Sequence, residues 1–336
     1  QWHPVYLAVG KLPIEKLKLK DVTITGARKE KKPVDLGLPR LSRWTSVFRA
    51  FINHLSIEGL VYTAPGSKPV SVHALTAGIL LDRGVLYLDG LNVKSGLVDI
   101  GGTIILNLVH PGLRAALNGS LHEKALGFDT ISLSADLPAS HGKEQVAGVV
   151  VLKAFAGKKE RLRFECSIGL QRQAVRVTDA RLTKADNGGA LAANAAIDLS
   201  GSKPAFDISG KLVKLDLAPE LPQGTSLSGN FHAAGSTDDF EGGISLGNAG
   251  PYWKDMAICV SIIGTKEAIR LRDLEAKIMG GTMLGSAELA KASRTVSFKV
   301  TGTGFNPAKI ERALSGNINF RLNGRFEIPG DGPVGW

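Results

Sequence analysis

The side chains that could perform catalysis or hold a metal are scattered along this chain. Its 7 histidines occur singly, without the short spacing to another histidine or to a cysteine that a zinc site needs. Asp238 and Asp239, followed by Glu241, could bind a cation, but an acidic loop tip is the favoured interpretation. The isolated histidines are typical of turns and surfaces rather than of ligand sets: His3, His54, His73, His110, His122, His141 and His232.

Two other motifs lack the sequence context that a catalytic or cofactor-binding site requires. The serine-glycine pairs at 228–229 and 315–316 lack the strand and long helix that flank a nucleophilic serine elbow. Gly302 and Gly304 have no third glycine and precede no long helix, so they indicate a turn in a strand pair rather than a dinucleotide loop. The sequence therefore predicts a protein that is not an enzyme and that uses no cofactor and no metal.

The charge balance favours an anionic partner. The chain has 41 Lys+Arg against 31 Asp+Glu, a formal net charge of +10. Lipid headgroups, nucleic acid and polyanionic polymers all fit that charge. Single-stranded nucleic acid would also need aromatic side chains interleaved with the basic ones. We predict no nucleic-acid partner, because the tyrosines are isolated: Tyr6, Tyr62, Tyr87 and Tyr252.

The elements that must position any site are strands arranged in a long repeat. The stretches 85–91, 174–180 and 268–274 alternate apolar and polar residues up to an aspartate, where we expect a turn. Each runs on to a glycine pair, at 101–102, 188–189 and 280–281, and then to another alternating segment. A spacing of about 90 residues suits a unit of several antiparallel strands.

Most other segments also predict strands with one apolar face. The segment 14–24 alternates in this way, with lysines on its other face. An amphipathic helix is predicted over 42–53, and short helical turns at 111–117, 219–221 and 307–314. Cys166 and Cys259 occupy equivalent places in the repeat, several strands apart and beyond disulfide reach, and at least one is expected to be a small buried residue.

A strand-only repeat must cover its apolar face, and two architectures do so differently. A closed barrel or a two-layer sandwich hides that face internally. A sheet that is curled but not closed leaves an apolar trough, which calls for a ligand or a partner. An acyl chain would suit such a trough, because its burial needs little directional chemistry.

Two stretches repeat a unit of strand, glycine-glycine turn and strand: VTDARL at 177–182 with NGGAL at 187–191, and LRDLEAK at 271–277 with GGTMLGSA at 280–287. Two connections are also alike, VKLDLAP at 213–219 and TGFNPAK at 303–309, which lead to LSGNF and LSGNI. These motifs resemble those of the AsmA-like superfamily, in particular its TamB-like translocation and assembly module proteins. The resemblance covers most of 75–328.

This resemblance implies a long, U-shaped β-sheet with a hydrophobic groove, called a β-taco. It further implies a periplasmic body in a Gram-negative envelope, an inner-membrane anchor and an outer-membrane Omp85-class partner. The implied roles are passage of phospholipid between the two membranes and support of outer-membrane protein assembly. No stretch of this sequence approaches the ~18 to 20 apolar residues of a membrane span. The sequence has no signal peptide and stops in mid-pattern at Trp336, so we expect this chain to be an excerpt of a longer protein, without the family's anchor and partner-binding domain.

The predicted fold is therefore mainly β: an elongated, repetitive antiparallel sheet curled into an open groove, with one or a few short helices. We predict N-terminal strands and the amphipathic helix over 1–74, and one continuous array over 75–336 with units at about 75–165, 166–258 and 259–336. The predicted partner is phospholipid, and a scaffold for outer-membrane protein assembly is the alternative function. The predicted groove-lining residues are the apolar alternates of the clearest strands: Val175, Val177, Ile269, Leu271, Phe298, Val300, Ile318, Phe320 and Leu322.

Overall fold

A computed structural model describes residues 11–25, 49–63, 69–122, 127–140, 146–185, 188–216, 224–250, 255–309 and 316–328. The chain divides into two compact units, Gln1–Ala180 and Arg181–Trp336, which we call unit 1 and unit 2. Each described strand except β10, Ala174–Lys184, lies wholly within one unit. The division into three repeats from residue 75 onward stays a prediction.

Unit 1 contains nine complete strands. Lysines alternate with Leu17 and Leu19 along the first strand, as predicted, and aliphatic alternation continues through the others. The bounds are β1 Lys11–Thr25, β2 Arg49–Thr63, β3 Val70–Asp82, β4 Val85–Ser95, β5 Val98–Asn107, β6 Gly112–Leu121, β7 Thr130–Leu137, β8 Val146–Ala156 and β9 Lys159–Leu170.

Unit 2 also contains nine complete strands, and a single 3₁₀ turn at Pro307–Lys309 is the only helical element among the described residues. The bounds are β11 Ala190–Asp198, β12 Ala205–Leu215, β13 Leu227–Ser236, β14 Phe240–Asn248, β15 Met256–Gly264, β16 Ala268–Ile278, β17 Gly281–Ala290, β18 Thr295–Phe305 and β19 Ile318–Glu327.

Each strand pairs with its neighbour in the sequence. In unit 1, β1 and β2 are parallel, and every later pair up to β8 and β9 is antiparallel. In unit 2, all pairs from β11 to β19 are antiparallel. No described register joins β1 to β9 or β11 to β19, so neither unit is a closed barrel. The predicted mainly β fold is confirmed, and within each unit the sheet is not closed, which is consistent with an open groove.

The turn predicted at the repeated aspartate is wrong, because the strand continues through it as a β-bulge. Asp273 has a φ of 51°, in the left-handed region, and Gly90 has a φ of 57° at the matching place in β4. The register of β16 shifts between Leu271 and Leu274. A bulge inserts one extra residue, so two leucines three positions apart both face the same side of the sheet. The bulges therefore preserve one apolar face along each strand.

Four predicted helical segments need correction or qualification. Residues 49–53 of the predicted amphipathic helix are the start of β2, where hydrogen bonding to β1 and β3 outweighs the helical periodicity; 42–48 lie outside the described residues. The helical turn predicted at 111–117 is strand β6 from Gly112 onward. The one predicted at 307–314 begins as the 3₁₀ turn, and that at 219–221 lies outside the described residues.

The glycine pairs serve different purposes in the repeats. Gly101 and Gly102 lie in the middle of β5 and form no hinge. Gly188 and Gly280 have φ values of 65° and 79° and lie in the turns before β11 and β17. Glycine favours such turns because it has no Cβ to oppose a positive φ.

Candidate apolar binding surface

The strand registers of unit 2 align one uninterrupted apolar row across nine strands. Residues opposite one another in an antiparallel pair project from the same face of the sheet. The row contains no polar side chain: Ala195, Ile208, Ala233, Gly242, Ile262, Leu271, Ala287, Phe298 and Gly324. The adjacent row on this apolar face is equally apolar: Ile197, Phe206, Gly235, Phe240, Gly264, Ile269, Leu289, Val296 and Phe326.

Unit 1 has a matching apolar face built from aliphatic residues. Its row crosses β1 to β9: Ile14, Ile52, Ile79, Leu88, Ile104, Ala115, Ala135, Val150 and Cys166. The row beside it is leucine-rich from β3 to β7, at Leu81, Leu86, Leu106, Leu113 and Leu137. Each unit therefore presents one face without charge.

Burial shows that these faces are not the interior of a packed core. The large mid-strand residues Ile262, Leu271 and Phe298 in unit 2 are only half-buried, as is Ile104 in unit 1. The buried apolar residues that the structure describes in unit 2 lie mostly at strand ends: Ala190, Met256, Ala268, Ala276 and Phe305. A sandwich or a closed barrel would bury the mid-strand residues fully. The burial pattern within each unit therefore favours the open alternative.

Phenylalanine rings in unit 2 lie across glycines of the neighbouring strand. A Cβ at Gly302 would overlap the ring of Phe320, and one at Gly324 would overlap the ring of Phe298. The rings of Phe305 and Phe320 also contact each other, with centroids 5.2 Å apart. The missing glycine side chains allow the rings to lie close to the sheet, so bulky aromatic residues take up little depth on the apolar face.

Asn248, at the end of β14, is the polar exception on the apolar face of unit 2. Its side chain is buried, and its Oδ1 accepts hydrogen bonds from the Ser226 and Gly250 N–H groups at 2.8 and 3.0 Å. A buried polar atom with two donors is satisfied and needs no ligand. Asn248 therefore closes a turn at the rim of the face.

The registers bring seven of the nine predicted lining residues onto the apolar face of unit 2: Ile269, Leu271, Phe298, Val300, Ile318, Phe320 and Leu322. Ile318 and Leu322 on β19 are 50% and 53% exposed, so that strand offers the most open part of the face. Val175 and Val177 lie on β10 in unit 1, at alternate positions, and both are half-buried. That these residues line a lipid groove stays a prediction.

The opposite, polar face carries the charges, and some of its ion pairs cross between strands. Lys18 Nζ on β1 lies 2.6 Å from Glu58 Oε1 on β2 in unit 1. In unit 2, an ion pair joins two loops between strands, with Lys203 Nζ 2.8 Å from Asp238 Oδ2. The hydrogen bond from Lys18 lowers the pKa of the Glu58 carboxyl, and that from Lys203 lowers the pKa of the Asp238 carboxyl. Asp238, considered above as a cation ligand, is therefore engaged with a lysine.

The described residues contain no group of three side chains able to hold a metal ion. Gly302 lies under an aromatic ring and Gly304 at a bulge, where its N–H donates to Asn319 Oδ1 at 2.8 Å. Ser228 Oγ accepts a hydrogen bond from the N–H of Lys214 at 3.0 Å, another bulge residue. The two cysteines are free, as predicted: Cys166 is buried on the apolar face, and Cys259 is exposed beside Ser245.

Helices long and apolar enough to cross a membrane are absent from the described part of the chain. No protein-family model, no curated protein and no solved structure matches the sequence or the fold. The geometry of the two faces is therefore the basis for assigning a function.

The apolar face includes residues that the sequence analysis predicted and others that it did not. The alternation identified the apolar-face residues of β16, β18 and β19. It did not identify the glycines beneath the rings, because that pairing depends on strand register. A three-residue step between leucines at an aspartate, as from Leu271 to Leu274, was a readable sign of the bulge.

Proposed function

We propose that this chain holds the acyl chains of phospholipids on its apolar face and conducts them passively. The observation that carries the proposal is the row of uncharged residues that crosses nine strands in each unit. The large residues of these rows are only half-buried. An uncovered apolar surface of this extent calls for a hydrocarbon ligand or a partner.

The dimensions of a row support an acyl ligand. Nine strands spaced ~4.8 Å apart give a row of about 38 Å along the sheet. One acyl chain spans roughly half of the ~30 Å hydrocarbon core of a bilayer. A row is therefore long enough for a chain lying across the strands, and each buried methylene contributes about 0.8 kcal/mol.

The mechanism requires no chemistry from any side chain. Apolar residues shield the hydrocarbon from water, while the polar headgroup stays in solvent at the margin of the face. Because every strand contributes an apolar residue to the row, an acyl chain that shifts by one strand exchanges similar contacts, so movement along the sheet meets no strong binding site. The AsmA-like resemblance extends this proposal to transfer between the inner and outer membranes across a periplasm, with an outer-membrane Omp85-class protein as a partner.

A second candidate function is a scaffold that pairs with nascent outer-membrane β-strands. The observation that favours it is the edge of β19, because among the described residues of unit 2 this strand pairs only with β18. An unpaired strand edge can accept another strand by β-augmentation. The exposed Ile318, Leu322 and Phe326 on β19 would then contact the incoming strand.

Site-specific photocrosslinking in cells that express the chain separates the two functions. A photoreactive residue at Phe320 or Val177 should form phospholipid adducts, whereas one at the neighbouring polar-face position Arg321 should form few. Phospholipid adducts from the apolar positions support conduction. Adducts to outer-membrane proteins alone would support the scaffold and contradict the conduit.

A further inference from the structure

The polar face of β16 to β19 forms a shallow concavity of about 630 Å³ in unit 2. Each strand contributes three consecutive residues to its lining, and the outer two of each triplet share the polar face because side chains alternate along a strand. These outer residues are Arg270, Arg272, Ser286, Glu288, Ser297, Lys299, Asn323 and Arg325.

Basic side chains dominate this concavity. Arg270 Nε lies 2.8 Å from Glu288 Oε2, so this pair neutralises itself. Arg272, Lys299 and Arg325 have no carboxylate partner in the part of the chain that the structure describes. They surround hydroxyl groups, because Ser286 lies opposite Lys299, and Ser297 lies opposite Arg325. Three uncompensated cations and two serine hydroxyls therefore line one hollow.

A similar hollow in unit 1 lacks this charge. It measures about 470 Å³ on the polar face of β4 to β7, and its charged lining residues are Lys94 and Asp99, one of each sign. The remaining polar lining of this hollow consists of amides and hydroxyls, such as Asn118 and Ser132. The two hollows show that sheet geometry alone does not produce the positive charge, which is a property of the side chains in unit 2.

We propose that the concavity of β16 to β19 is a binding site for a phosphate group. Guanidinium and ammonium groups form charge-assisted hydrogen bonds to phosphate oxygens, and arginine does so through two parallel N–H groups. The flanking serine hydroxyls can donate further hydrogen bonds to the same anion. Because the sheet backbone separates this site from the apolar face, it adds a second binding activity beyond the proposed hydrocarbon binding and shares no side chain with it.

Calorimetric titration with inorganic pyrophosphate at low ionic strength tests the site. The triple variant Arg272→Gln, Lys299→Gln and Arg325→Gln should bind at least about tenfold more weakly than the unsubstituted protein, since each charged hydrogen bond contributes substantially. The control variant Lys211→Gln, Lys266→Gln and Lys277→Gln loses the same charge from exposed positions of unit 2 outside the concavity. It should change the affinity less than about twofold, as expected for diffuse screened charge. Circular dichroism verifies that both variants are folded.

A variant that should bind pyrophosphate more tightly separates an effect on the site from a general loss of structure. Glu288→Gln removes the one carboxylate from the concavity and frees Arg270, so pyrophosphate should bind more tightly. A second titration uses phosphatidylcholine vesicles with or without phosphatidylglycerol. If the triple variant weakens pyrophosphate binding, the ligand is a free phosphate compound. If the protein binds only the phosphatidylglycerol vesicles, and the triple variant weakens that binding, the ligand is a lipid headgroup. Equal losses in the triple and control variants, or no binding to either probe, would overturn the proposal.

Discussion

The two units carry the same two-faced sheet but fill its apolar face differently. Unit 1 uses aliphatic side chains, and small residues such as Ala154 and Cys166 are its buried mid-strand positions. Unit 2 places phenylalanines over glycines, as in the pairs of Phe298 with Gly324 and Phe320 with Gly302. The comparison shows that strand register and bulges define which residues form the apolar face. The choice of side chains determines how far the face projects from the sheet and whether it is aliphatic or aromatic.

The polar faces differ as well. The concavity of unit 1 is neutral and that of unit 2 is basic, although strand geometry creates both. Charge therefore distinguishes the two concavities, and phenylalanine content distinguishes the two apolar faces.

The largest expected effect tests close contacts between neighbouring strands, which occur in both units. A Cβ at Gly148 in unit 1 would overlap the carbonyl oxygen of Asp136, and one at Gly229 in unit 2 would overlap that of Ser245. Each overlapped atom belongs to the backbone, so Gly148→Ala and Gly229→Ala should each lower the free energy of unfolding by about 1 to 3 kcal/mol. Chemical denaturation measures the loss.

Hydrogen exchange then assigns each loss to its unit. Gly148→Ala should accelerate exchange in β7 and β8, and Gly229→Ala in β13 and β14. Gly157→Ala is the matched control, because a Cβ at that position meets no atom within 4 Å, although its φ of 60° leaves a smaller backbone cost. Unchanged stability in both sheet variants would show that the strand registers around Gly148 and Gly229 are wrong.

A smaller effect tests whether the bulges are equivalent in the two units. Asp273 and Gly90 both have a positive φ, and a β-branched residue is strained in that region. Asp273→Val and Gly90→Val should each destabilise the fold by about 1 to 2 kcal/mol. Thermal unfolding followed by circular dichroism measures the change.

The control for the bulge is Asp273→Gly, which relieves the strain and should leave stability nearly unchanged. If valine were tolerated as well as glycine at position 273, the strand would not need its left-handed residue at the bulge. The apolar face would then have to continue past Leu271 in another way.

The smallest effect concerns the lysine-paired carboxylates, one in each unit. Glu58 and Asp238 have pKa values below their ordinary 4.5 and 3.8 because lysines hydrogen-bond to them. A lowered folded-state pKa stabilises the protein above the unfolded-state pKa, and this contribution disappears as the pH falls through the folded-state value. Glu58→Gln and Asp238→Asn should therefore lower the unfolding temperature slightly at neutral pH.

The same two substitutions should have no effect once the pH is well below the lowered pKa values. Both pairs are solvent-exposed, so salt should weaken the neutral-pH effect. Melting curves at neutral and strongly acidic pH, with and without added salt, provide the measurement. An effect that persists in acid would indicate lost packing rather than a lost ion pair.

The sequence predicted the strands well, because period-two alternation persists on one apolar face. It placed Ile269, Leu271, Phe298 and Val300 on strands with the correct parity. It misjudged the repeated aspartate, since a positive φ at Asp273 keeps the strand going where a turn was expected. Residues 49–53 resemble a helix locally, and only their pairing with β1 and β3 makes them a strand.

The features of the site that escaped prediction depend on long-range register. The parallel pairing of β1 with β2 leaves no local sequence pattern. The glycine under each phenylalanine lies on a neighbouring strand, and the basic concavity collects one or two cations from each of β16, β18 and β19. Such juxtapositions follow from how strands align, which single-strand periodicity does not encode.

The most direct test of hydrocarbon binding is native mass spectrometry of the purified chain with co-purifying phospholipid. The unsubstituted protein should retain lipid, and Phe298→Lys should lose most of it, because a charge on the apolar face disfavours hydrocarbon contact. Ser297→Lys adds the same charge to the polar face of the same strand and should retain lipid. Retention of lipid by a folded Phe298→Lys protein, or no lipid on the unsubstituted chain, would contradict the claim that the apolar face binds acyl chains.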